Sequence, residues 1–119
     1  MTAIELLQSC TDAGAHFQRY VNAFVDEFRA ASPQTRAEMV AKGPVETGRL
    51  EGLVAAVVSA LCRETGTPAP AWVQEIHSPE PFFAFPAKGF ALRLRLMLES
   101  PPPFRIRNVF VPESYLSRR

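Results

Sequence analysis

Apolar residues recur with helical spacing through the first half of the chain. Phe17, Tyr20, Val21, Phe24, Val25 and Phe28 fall at i, i+3, i+4, i+7, i+8 and i+11, which places them on one face of a helix. Gln18, Arg19, Asn22, Asp26 and Arg29 take the opposite, solvated face. Thr11-Asp12 reads as the cap that opens this helix. Ser32 and Pro33 close it and start the next: serine is a good cap and proline suits a first turn, while Thr35 and Glu38 have capping-box spacing, so a short helix to Lys42 is expected. After a break at Gly43-Pro44, Leu50, Leu53, Val54, Val57, Val58 and Leu61 form a second helical stripe, which stops at Gly66. Gly48 and Gly52 weaken that helix by about 1 kcal/mol each relative to alanine and leave room for a close neighbour.

The pattern changes after Thr65. Five prolines (68, 70, 79, 81 and 86) are interleaved with Trp72, Phe82, Phe83 and Phe85. Proline at that density forbids a long helix or a central strand, so one helical turn over 70–76 and then extended chain are expected. The rings would hold such a segment against the helices, each contributing on the order of 1.5–3 kcal/mol when buried. In 89–99, Phe90, Leu92, Leu94, Leu96 and Leu98 alternate with Ala91, Arg93, Arg95, Met97 and Glu99. That alternation is a strand signal, whereas a leucine-rich segment without Val, Ile or Thr favours helix, and the sequence leaves both open. Pro101–Pro103 breaks the element. Phe104, Ile106, Val109 and Val111, interleaved with Arg105, Arg107 and Phe110, predict a short strand, at an edge or in a hairpin, in which Arg105 and Arg107 would share a face. Pro112 and Glu113 predict a terminal helical turn over 113–116. The expected fold is therefore mainly α: a helical half (1–66) and a Pro/aromatic-rich wrapping half (67–119) of a single domain.

At 119 residues and 47% hydrophobic content, the chain is long enough to build a core without disulfides or metal. The net charge of +1 is uninformative, but its distribution is not. Residues 1–64 hold eight acidic and six basic side chains; from Thr65 onward there are four acidic and seven basic. No apolar run reaches the roughly 18 residues of a membrane span. Met1–Cys10 carries Glu5 and no basic leader, so a cytoplasmic protein is expected. Cys10 and Cys62 then read as two small buried hydrophobes rather than a disulfide.

Residue types that carry chemistry are sparse. His16 and His77 are the two histidines, and HExxH, CxxC, GxSxG, GxGxxG and P-loop patterns are all missing from the sequence. Adjacent carboxylates such as Asp26 and Glu27 diverge on a helix and make no dyad. No catalytic residue, metal site or cofactor is expected. The unusual feature is cationic: from Lys88 onward seven basic residues face two acidic ones. Arginine forks suit carboxylates and phosphates, which marks Arg93, Arg95, Arg105 and Arg107, with the neighbouring Asn108, as candidate partner-binding residues.

The strings Glu80-Pro81-Phe82-Phe83, Glu99-Ser100-Pro101 and Pro103-Phe104-Arg105-Ile106-Arg107-Asn108-Val109-Phe110-Val111 resemble those of a family of short bacterial proteins with PEPWF-like and SPxxFRxRNxFV-like elements. The resemblance covers 71–119. Phe83 stands where that family often has Trp. It implies a regulator or antitoxin-like partner protein and no catalytic residue; residues 1–66 show no helix-turn-helix. Three functional readings follow: a non-enzymatic module that presents its arginines to an acidic protein partner, a nucleic-acid-binding protein using the same basic surface, and a small enzyme assembled at an oligomer interface around His16 or His77.

Overall fold

The computed structural model describes residues 1–84 and 89–117. Phe85, Lys88, Arg118 and Arg119, which the sequence reading includes among docking rings and cations, lie outside the described residues.

The first helix, α1 (Ala3–Ala13), starts earlier than the expected cap. Thr2 Oγ1 accepts from the Glu5 N–H (3.2 Å) and the Glu5 carboxylate accepts from the Thr2 N–H (2.9 Å), a reciprocal capping box. Hydrogen bonding to Thr2 also holds the Glu5 carboxyl below its usual range. Thr11 and Asp12 lie inside α1, where the Thr11 hydroxyl donates to the Leu7 carbonyl and Asp12 accepts from Gln8. A single turn over Gly14–His16 then leads into α2 (Gln18–Ala30), which buries Val21, Phe24, Val25 and Phe28 as its stripe requires. In α3 (Pro33–Val40), Ser32 caps the Thr35 N–H, and Arg36 donates to the Phe28 and Arg29 carbonyls left open at the end of α2.

Helix α4 (Arg49–Thr65) is the centre of the molecule. Residues 52–58 are buried without interruption, so the helix is enclosed on every side rather than along one stripe. Gly66, in the left-handed region at φ 71°, ends it, with the Gly66 and Thr67 N–H groups both bonded to the Cys62 carbonyl. Gly52 sits inside α4 because the extended chain crosses it there: a Cβ at this position would come within 2.6 Å of the Ser78 nitrogen.

The second half wraps this core. Helix α5 (Trp72–Glu75) places the Trp72 ring against Gly43 while its indole N–H donates to the Val40 carbonyl (2.8 Å). Residues 89–99, ambiguous in sequence, contain a helix, α6 (Phe90–Glu99). The strand expected from Phe104 onward is shorter than the alternation suggests. Pro102 and Pro103 start a further helical turn, α7 (Pro102–Arg105), and extended pairing is confined to β2 (Val109–Phe110). β2 pairs in parallel with β1 (Phe82–Phe83), in the register Phe82 to Val109 and Phe83 to Phe110. A parallel pair needs a crossover, so no hairpin forms between them; α6 and α7 lie in the connection. Residues 113–116 make turns rather than the expected helix. Tyr115 in that turn donates to Gln18 Oε1 (2.5 Å), and the Leu116 carbonyl accepts from Arg29 (2.7 Å), which also holds Glu64 through two bonds of 2.8 Å.

Cys10 and Cys62 are both buried free thiols, and burial pushes the Cys10 thiol up to about 11. No helix among the described residues is long and apolar enough to cross a membrane.

Candidate functional site

Five leucine and phenylalanine positions taken at every second residue cannot share one side of a helix. Each step of two turns the direction by about 200°, so the α6 side chains spread around the circumference. The body covers Leu96 alone. Phe90 is 81% exposed and Leu98 69%, with Leu92, Leu94 and Met97 also exposed. The helix is anchored at its C-terminal end, where the Ser100 hydroxyl donates to the Leu96 carbonyl (2.5 Å) and accepts from the Val111 N–H (2.9 Å).

Between α6 and β1 runs an open groove of about 540 Å³. Phe90, Leu94 and Met97 form its helical wall, and Pro81, Phe82 and Phe83 form the other. Two arginines line it. Arg93 lies over the Phe83 ring, 5.3 Å from the guanidinium carbon to the centroid, and Arg49, at the start of α4, lies over the Phe82 ring at 5.9 Å. Arg49 also pairs with Glu80 at 2.8 Å. Phe82 and Phe83 are held from behind by Phe17 and Phe110, with centroids 6.1 and 5.3 Å apart. The groove is thus apolar along both walls and carries a cation over each strand ring.

The five sequence-predicted residues do not share one surface. Arg107 is inside the molecule, 6% exposed: Nε and Nη2 donate to the Val73 carbonyl (3.0 and 2.8 Å) and Nη1 to the Pro103 carbonyl (2.7 Å). Burial lowers its proton affinity. The expectation that Arg105 and Arg107 share a strand face fails because α7 turns the chain between them: Arg105 and Ile106 are exposed and Arg107 points inward. Asn108 takes the left-handed conformation at φ 63° that lets the chain leave α7 for β2, and its Nδ2 donates to the Ser78 carbonyl (3.4 Å). Arg95, one helical turn before Glu99, donates to it at 2.7 Å, which raises the guanidinium's proton affinity. Arg93 alone of the five lines the groove.

Arg49 and the apolar walls escape a reading based on positive charge. The signal that finds the helical wall is the alternation in 89–99 itself, which on a helix forces leucines into solvent; Arg49 leaves no such signal. His16 and His77 are exposed, and neither lines the groove. Among the described residues no three His, Cys, Asp or Glu side chains are grouped so as to hold a metal ion.

No protein-family model, curated protein or solved structure matches this chain.

Proposed function

We propose that the protein is a non-enzymatic binding module, in the regulatory or antitoxin-like class its C-terminal strings suggest, and that it docks an acidic protein partner in the groove between α6 and β1. The observation that carries this reading is the exposure of α6. A helix apolar around its circumference is ordinarily enclosed on all sides, yet here Leu96 is the one α6 residue fully buried among the described residues, and Phe90 and Leu98 are 81% and 69% exposed. The acidic character of the partner rests on the excess of basic residues in the C-terminal half, since Arg49 at the groove is already paired with Glu80. The nucleic-acid reading is disfavoured by Arg107, which lies inside the fold and donates to the Val73 and Pro103 carbonyls.

Affinity purification of the tagged chain from the cell that makes it, followed by mass spectrometry, tests the reading. The wild type is expected to recover one protein in near-stoichiometric amount, and Leu94→Glu/Met97→Glu to lose it with an unchanged circular dichroism spectrum. Equal recovery by the folded double variant overturns the proposal.

A further inference from the structure

We draw no further inference here: the strongest candidate, the exposed apolar face of α6 along the groove it forms with β1, belongs to the site already described, and nothing in the structure shows what covers it.

Discussion

Arg105 and Arg107 are two residues apart, chemically identical and energetically opposite. Arg107 donates three hydrogen bonds to main-chain carbonyls in a nearly closed site, and those carbonyls have no water to turn to if it is removed. Arg107→Leu should therefore cost about 1–3 kcal/mol in urea denaturation. Lysine would not restore the fork, since one ammonium cannot span two carbonyls as a planar guanidinium does. Arg105→Ala, at an exposed position, should stay within about 0.5 kcal/mol of the wild type. If both variants were equally stable, the internal role of Arg107 would be wrong. Charge counted along a sequence cannot separate these two residues, because what distinguishes them is the turn between them.

At the scale of elements, α4 inverts a propensity argument. Glycine inside a helix normally costs about 1 kcal/mol relative to alanine, so Gly52→Ala would be expected to stabilise. The added Cβ, however, would meet the Ser78 backbone nitrogen at 2.6 Å and the His77 carbonyl carbon at 2.9 Å, and main chain cannot swing aside as a flexible side chain can. Gly52→Ala should lower the melting temperature, corresponding to a loss of about 1–3 kcal/mol; a rise would refute the close crossing. The stripes of α2 and α4 were legible in sequence because each buries enough apolar residues at helical spacing to dominate any alternative. Helix α1 was obscured because it buries only Ala3, Leu6 and Cys10, although the Thr2 and Glu5 capping pair was there to be found. The segment after Pro103 misled for a different reason. Its alternation predicts Ile106 inside and Arg107 outside, and the helical turn set up by Pro102 and Pro103 reverses both: Ile106 is 73% exposed. The groove was only half legible, since the odd leucine pattern of α6 lies in the sequence whereas Arg49 joins it through tertiary folding alone.

For the whole molecule, the wrap is held by the apolar residues it buries in the core, among them Val73, Phe104, Val109 and Val111, and by widely spaced polar fastenings: Trp72 to Val40, Leu116 to Arg29 and Tyr115 to Gln18. Two of these joints fall on α2 and one on α3, whereas α6 is hydrogen-bonded to the body through Ser100 at its C-terminal end, with Arg93 lying over the Phe83 ring. Opening free energy should accordingly be uneven. Hydrogen exchange is expected to show the α6 amides, from Arg93 onward, exchanging through local opening well before those of α4, which should wait for global unfolding. Protection of α6 equal to that of α4 would mean that the helix is covered in the free protein, and the docking proposal would lose its premise. Further contacts come from 82–83 and 100–111: Phe82 and Phe83 form β1, Ser100 fastens the end of α6 to Val111, and Asn108 donates to the Ser78 carbonyl beside β2.

The contact between Trp72 and Val40 has one more consequence. Trp72 is the sole tryptophan of the chain, and it sits where the second half latches onto the first. Its ultraviolet emission is therefore a built-in gauge of that latch: lifting the wrap wets the indole and reddens the light it gives off, with no dye or tag to disturb the protein.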